Sequence, residues 1–306
     1  MKAAQISQYG GPEVIEINEV GKPLPQAGQV LVEVQAAAIN PFDWKMREGY
    51  VKGAIKSLPI TLGGDFSGVV ESGADQFQPG DEVYGSALIL SGGSGALAEL
   101  ATTKPENIAK KPAKLNHSEA ASLVLVGVSA FQALDQLKLK PASKLLIQGG
   151  AGGIGSAAIQ YAKHLGTYVA TTVREADVAF VKSLGADQVI DYQKAKASEK
   201  LHNFDAVFDT VGDEVYKDSF KVLKKGGPII SMTMPPDEEL ATKYQVKALY
   251  QGTKVNIESL NRLTKLIEGN VITPHVDKEF PLAQTAEAFK HLETGHPKGK
   301  VVIKIG

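Results

Sequence analysis

The stretch Lys144–Thr172, KLLIQGGAGGIGSAAIQYAKHLGTYVATT, decides the fold of this 306-residue chain. Lys144 to Gln148 reads as a short buried strand, and Ile154, Ala157, Ala158, Tyr161, Ala162 and Leu165 then recur at helical spacing. Between them Gly150, Gly152 and Gly155 match G-x-G-x-x-G. The first permits a tight turn, the second lets a pyrophosphate approach, and the third brings helix onto strand. Phosphates would sit on the helix N-terminus, where unpaired N–H groups and the helix dipole favour an anion, with Gly150, Ala151, Gly152, Gly153 and Ile154 in contact. Thr167 to Val173 supplies the next strand, so the glycines have the flanking elements that a lone pattern lacks. The reading is a nicotinamide dinucleotide site.

Outward from this loop, strand and helix patterns alternate. Strands are expected at Gln188 to Ile190, Ala206 to Phe208 and Ile229 to Met232, separated by helical patterns at Val178 to Leu184 and Val215 to Leu223. That is the repeating series of a parallel sheet, about five strands long. The first hundred residues read differently, as β-rich, with alternating strands at Glu13 to Glu19 and Gln29 to Ile39 and turns at Gly10-Gly11-Pro12, Pro23-Leu24-Pro25 and Pro79-Gly80. A small-residue helix runs from Ser118 to about Leu137. After Gln251 come two helices and a closing strand, Lys300 to Ile305, too little to stand alone, so this piece is expected to return to the N-terminal domain. The expected division is residues 1–117 with 255–306 as one domain and 118–254 as an inserted dinucleotide-binding domain.

Composition narrows the partners. Thirty-three basic against 34 acidic residues give a net charge of −1, which argues against nucleic acid or a membrane surface bound through bulk charge. With no cysteine there are no disulfides and no thiolate zinc sites, and nothing calls for an oxidising compartment. MKAAQISQYGG lacks an apolar signal core, and the most apolar stretch, Ala120 to Phe131, is too short to span a bilayer. A cytoplasmic location is the default expectation.

Further motifs sit in a fixed order: AAAINPFDWKMREG, GGDFSGVVESG, QPGDEVYG, VGVSAFQAL at Val126 to Leu134, GGAGGIG, LGADQVIDY at Leu184 to Tyr192, and GHPKGKVVIKI. Together they resemble the quinone oxidoreductase, zeta-crystallin-like branch of the zinc-independent medium-chain dehydrogenases/reductases, over nearly the whole chain. The resemblance implies an α/β protein with a Rossmann dinucleotide-binding domain inserted in a GroES-like β-rich domain, and an active site in the cleft. It implies NADPH-dependent reduction of a quinone or an α,β-unsaturated carbonyl, and a homodimer joined sheet to sheet, for which Ile229 to Met232 is the expected edge. The zinc alcohol dehydrogenases of the same superfamily match poorly. Asp65 stands where they have a histidine, and the six histidines at 117, 164, 202, 275, 291 and 296 show no ligand spacing, so no metal is expected.

The choice of nucleotide falls at the end of the second strand, Thr171-Thr172-Val173-Arg174-Glu175. An acid about 20 residues past the glycines would hold the ribose 2′-hydroxyl of NAD, whereas a base there receives the 2′-phosphate of NADP. Arg174 offers a planar fork to phosphate and Thr172 a hydroxyl, which favours NADP; by resemblance Tyr192 lies near the same phosphate. The rival reading uses Glu175 as the ribose acid, with Arg174 facing solvent.

Hydride transfer asks little of the protein beyond orientation and exclusion of water. By resemblance Asn40 faces the nicotinamide ribose or the substrate carbonyl. As N-cap to Pro41, with Asp43 three residues on, it also makes a good helix start. Many relatives have a tyrosine where this chain has Lys45, which could polarise a carbonyl or return a proton to an enolate, although a lysine on a short surface helix is more often solvated. Trp44 and Tyr50 are candidate walls of a substrate slot or core packing. The carboxyl-end loops nominate Thr210, Val211 and Gly212, then Met232 and Thr233. Ser129 matches a family threonine near the nicotinamide phosphates, and Lys300 a family position at the cofactor's edge. The alternative function is a non-catalytic NADPH-binding protein, structural or regulatory.

Overall fold

The computed structural model describes residues 1–306. The chain begins with strands β1 (Lys2–Ile6), β2 (Ile15–Glu19) and β3 (Val30–Ile39), helix α1 (Pro41–Arg47), then β4 (Ile60–Thr61) and β5 (Asp65–Ser72). Strands β6 (Glu82–Ser86), β7 (Leu100–Thr103) and β8 (Ile108–Lys110) follow, then the long helix α2 (His117–Leu137). Next come β9 (Lys144–Gln148), α3 (Gly153–His164), β10 (Tyr168–Val173), α4 (Val178–Ser183), β11 (Gln188–Asp191), α5 (Ala197–Lys200) and β12 (Ala206–Asp209). The chain continues through α6 (Asp213–Ser219), β13 (Pro228–Ser231), α7 (Glu238–Tyr244) and β14 (Lys247–Tyr250), and closes with α8 (Ile257–Glu268), β15 (Val276–Pro281), α9 (Thr285–Thr294) and β16 (Lys300–Lys304).

Two compact units result: Met1–Leu125 with Val255–Gly269 and Pro274–Gly306, and Val126–Lys254 with Asn270–Thr273. The seam falls inside α2, between Leu125 and Val126, rather than at residue 117. The start of the helix packs on the β-rich unit, with Ala121 against Ala36, Ala38 and Val302. Alternation along β3 explains that contact: Ala36 and Ala38 turn one way, while Ala37 and Ile39 turn into the main core with Phe66, Val301 and Ile303. Small side chains let the helix approach closely. At 21 residues α2 as a whole is long and apolar enough to cross a bilayer, unlike its most apolar stretch alone, but 78% of its most apolar window is buried inside the protein.

In the β-rich unit a sheet runs in the order β15-β16-β3-β5-β6-β8, with β7 also on β3. Its register sets Ala38 opposite Asp65 and Ile39 opposite Val301. The end of β3 and the starts of β5 and β16 therefore meet, and Asn40, Asp65 and Lys300 are gathered at one end of these neighbouring strands.

The second unit holds a six-stranded parallel sheet, ordered β11-β10-β9-β12-β13-β14. Counted from β9 this is 3-2-1-4-5-6, the doubly wound dinucleotide-binding order. The sixth strand, Lys-Ala-Leu-Tyr, is short and half exposed, so the sequence pattern stopped at five. It also corrects the expected edge: β13 pairs on both sides, and β14 is the free edge.

Candidate active site

The nucleotide half of the site is built by backbone. Gly149, at φ +75°, turns the chain off β9, and a Cβ on Gly150 would overlap the Thr171 hydroxyl. On Gly155 it would overlap the Gly149 carbonyl, so the third glycine sets how closely α3 sits over the turn. Gly152 differs: a Cβ there would meet only the Gly149 carbonyl oxygen, at 3.5 Å, and otherwise open space. Two glycines are thus needed for packing and one leaves room in front of the helix N-terminus, the shape a pyrophosphate requires.

Side chains beneath the loop hold it in place. The buried Thr172 hydroxyl donates to Gln148 Oε1 at 2.6 Å and accepts from the Gly149 N–H at 3.2 Å, while the Gly150 N–H reaches the Thr172 carbonyl at 3.1 Å. Expected as a phosphate ligand, Thr172 here braces the turn. Thr210 likewise donates to the Gln148 carbonyl at 2.8 Å, and Gln148 donates to Ser219 at 2.8 Å. At the end of β12 the fully buried Asp209 accepts from the Val211 and Gly212 N–H groups, each at 3.1 Å, and from the Ser231 hydroxyl at 2.6 Å. Ser231 in turn accepts from the Thr233 and Met234 N–H groups at 3.1 Å. One carboxylate and one hydroxyl therefore set the shape of both carboxyl-end loops, including Val211 and Met232. Sequence reading nominated the loops and missed this pair, although an aspartate ending a strand before Thr-Val-Gly is a turn signal.

Arg174 follows β10 and is held by Asp177, its Nε and one terminal nitrogen each 2.9 Å from the same carboxylate oxygen. Glu175, the rival ribose ligand, is largely exposed and paired with Lys194 at 2.5 Å. Lys194 also lies 3.5 Å from Asp191, and hydrogen bonding to Glu175 raises its pKa. The Tyr192 N–H bonds the Val173 carbonyl at 3.1 Å, and its side chain is half exposed. Arg174, Tyr192 and Lys194 thus stand at the ends of adjacent strands. Lys194 was missed, since its place opposite Glu175 depends on the pairing of β10 with β11. Ser129 is wholly buried and shares a 2.7 Å hydrogen bond with Thr253.

The β-rich unit carries a different construction. Asn40 precedes α1, and its N–H donates to Asp43 at 2.7 Å, the reach-back bond of a helix start. Its carboxamide Nδ2 donates to Asp65 at 2.8 Å, and its Oδ1 accepts from Lys300. Lys300 also donates to the Ile39 carbonyl at 2.6 Å, and Asp65 accepts from the Leu125 N–H at 3.1 Å. Lys300, expected at the cofactor's edge or in solvent, is 5% exposed and bound to Asn40. Burial pushes the Asp65 carboxyl up to about 6 and raises Asp43 as well, and it lowers Lys300.

Helix α1 is stapled by Arg47, which is fully buried. Its Nε donates to the Gly10 carbonyl at 2.9 Å, a terminal nitrogen meets Glu293 at 2.6 Å, and the guanidinium lies 5.4 Å from the Phe289 ring centroid. From this anchored helix Lys45 and Trp44 project together, the ammonium 5.7 Å from the Trp44 ring centroid. Trp44 is partly packed on the core and meets Tyr50 edge-on at 5.8 Å, while Tyr50 is 70% exposed. No three His, Cys, Asp or Glu side chains come together as a metal cluster would require.

A phosphate-ready glycine turn on a doubly wound sheet, in one chain with a β-rich unit of this topology, defines a two-domain nicotinamide oxidoreductase. Residues 26–113 match the alcohol dehydrogenase GroES-like domain, and residues 184–303 match the family described as zinc-binding dehydrogenase. The 2-methylene-furan-3-one reductase of Solanum lycopersicum is 35% identical, over 99% of this chain and 79% of that protein. The chloroplastic NADPH-dependent alkenal/one oxidoreductase of Arabidopsis thaliana is also 35% identical, with the same coverage. Among solved structures, the quinone oxidoreductase of Coxiella burnetii superposes with a TM-score of 0.94 at 37% identity, over 100% of this chain and 99% of that one. The chain belongs to the quinone oxidoreductase family of the medium-chain dehydrogenases/reductases.

Proposed function

We propose that this chain is an NADPH-dependent oxidoreductase that reduces a quinone or an α,β-unsaturated carbonyl without zinc. The observation that carries the reading is the open approach at Gly152, in front of the α3 N-terminus, with Arg174 and Lys194 at the neighbouring strand ends. Backbone N–H groups at the α3 N-terminus, those of Gly153 and Ile154, would hold the pyrophosphate, and Arg174, Lys194 and Tyr192 the 2′-phosphate. Asp209 and Ser231 fix the loops that line the nicotinamide end. When bound, NADPH would supply a hydride to the electrophilic carbon of the acceptor, and water would supply the proton that completes the reduction. Lys45, on the stapled helix, donates a hydrogen bond to the acceptor oxygen as negative charge develops there, and Asn40 orients the reacting groups. The curated relatives' enone and alkenal substrates support this acceptor class, and the absence of cysteine supports a zinc-free reaction. A homodimer formed by pairing β14 with its copy fits the unpaired edge.

Steady-state oxidation of NADPH, followed at 340 nm with 1,2- and 1,4-quinones and with 2-alkenals, tests the reading. Turnover with at least one acceptor class is expected, together with weaker use of NADH. Tight NADPH binding with no oxidation by any acceptor would identify a non-catalytic nucleotide-binding protein.

A further inference from the structure

The Asn40 carboxamide has two nearly isosteric orientations, and its neighbours are sharply unequal. On one side is Lys300, a donor with nothing to accept; on the other is Asp65, whose bonding oxygen already accepts from the Leu125 N–H. A flipped amide would set N–H against ammonium and carbonyl against carboxylate. The observed orientation satisfies both.

The charge count is equally specific. Asp43, Asp65 and Lys300 are 2%, 3% and 5% exposed; Asp43 and Lys300 each feel the other two charges, and Asp65 feels Lys300. They come from the three elements gathered at that end of the strands, α1, β5 and β16; α2 contributes the Leu125 N–H. Two carboxylates against one ammonium would leave a net negative charge in a desolvated place, so the cluster favours keeping one proton on its carboxyl pair.

We propose that Lys300 and Asp65 are positioning residues that lock the Asn40 carboxamide in one orientation, and that they work as a charge-neutral cluster with Asp43 sharing a single proton. The kinetic arm of this inference rests on the proposed reductase activity, and the spectroscopic arm does not. In Lys300→Met, which keeps the length of the stem, kcat is expected to fall roughly ten- to a hundredfold, the worth of a lost bond to a charged group. The KM for NADPH changes less, because its phosphates are held in the other unit. Lys300→Met combined with Asn40→Ala should be no slower than Asn40→Ala alone, since both act through one carboxamide. Asp65→Asn retains an acceptor oxygen but removes the charge, and should flatten the dependence of kcat on pH between 5 and 7. Independently of turnover, NMR of 13C-carboxyl-labelled protein should show an aspartate titrating well above the ordinary range that disappears in Asp65→Asn. The Asn40 side-chain amide signal should shift in Lys300→Met, with circular dichroism confirming that the variant is folded. Multiplicative loss in the double variant, or an Asn40 amide signal indifferent to Lys300→Met, overturns the proposal. A wild-type protein that oxidises no NADPH while its amide and carboxyl signals behave as expected would overturn the function and leave the cluster standing.

Discussion

At the carboxyl ends of β9 and β10 the chain presents backbone and paired cations; where β3 ends and β5 and β16 begin it buries three ionisable groups around Asn40. The first region would recognise an anion with groups that are already in place and cost little to expose, because N–H groups in the first turn of a helix have no intrahelical partner to lose. The second spends desolvation on orientation. Its carboxyl and ammonium groups are each shifted toward neutrality by burial, and they persist because they satisfy one another and Asn40. Binding strength and reaction geometry are thus assigned to different materials, and mutations in the two regions should fail in different ways.

The largest effect is expected within the glycine turn itself. Gly155→Val would drive a side chain into the Gly149 carbonyl and lift α3 from the sheet, costing about 3 kcal/mol of stability or more. Gly152→Ala meets only an ordinary contact and should melt close to wild type, yet it should bind NADPH at least about tenfold more weakly because the methyl group occupies the pyrophosphate's approach. Thermal melts and calorimetric titration of the two variants check the contrast. If Gly152→Ala bound NADPH normally, the open face would not be the phosphate site.

Next comes the strand end. Arg174→Ala should weaken NADPH by about 1.5–3 kcal/mol, the worth of a hydrogen bond to a charged group, while leaving NADH nearly unchanged. Equal losses for the two coenzymes, measured by fluorescence titration, would remove Arg174 from the 2′-phosphate. Lys194→Ala should show the same selectivity with a smaller loss, because its ammonium is shared with Glu175.

These two regions also differ in how much of them was readable from the sequence. The glycine turn, its strand and its helix lie within 29 consecutive residues, so spacing alone exposes their chemistry. Asn40 and Lys300 are 260 positions apart, and they meet only because β16 pairs antiparallel with β3. Nothing local marks Lys300 as buried: a lysine opening a terminal strand reads as solvated. The same reason hid Arg47, whose partner Glu293 is 246 residues away, and Lys194, whose meaning depends on the β10–β11 pairing. Ser129 and Thr172 show the opposite case, residues nominated for the nucleotide whose hydroxyls have protein partners. Both lie close to the proposed nucleotide elements, but their hydroxyls are turned inward to brace packing. The β14 edge escaped because a four-residue, half-exposed strand has too little alternation to register.

The buried cluster should leave its mark on stability as a function of pH. Asp65 holds its proton to about 6 in the folded protein, whereas an unfolded aspartate releases it near 3.8. Between those values the folded state binds more protons than the unfolded one, so this group's contribution falls as pH rises through the window and is level above it. Asp65→Asn removes the dependence. Relative to wild type it should gain stability between pH 4 and pH 7, on the order of 2 kcal/mol. Urea unfolding of both proteins at several pH values measures the difference. A gap between the two curves that stays constant with pH would mean that Asp65 ionises normally in the fold.

The smallest expected effect discriminates most finely between the nucleotides. If Glu175 gripped a ribose 2′-hydroxyl, Glu175→Gln would weaken NADH by the worth of a hydrogen bond to a charged group, about 1.5–3 kcal/mol. The structure instead pairs Glu175 with Lys194 at an exposed position, where such a pair contributes only about 0–1 kcal/mol. Glu175→Gln should therefore leave NADH binding and thermal stability almost unaltered. It should slightly strengthen NADPH, because Lys194, freed from the carboxylate, is left for the 2′-phosphate. The gain should shrink as ionic strength rises, since the charges involved face solvent. A selective loss of NADH affinity would restore the acid as a ribose ligand and move the basic strand end to a supporting role.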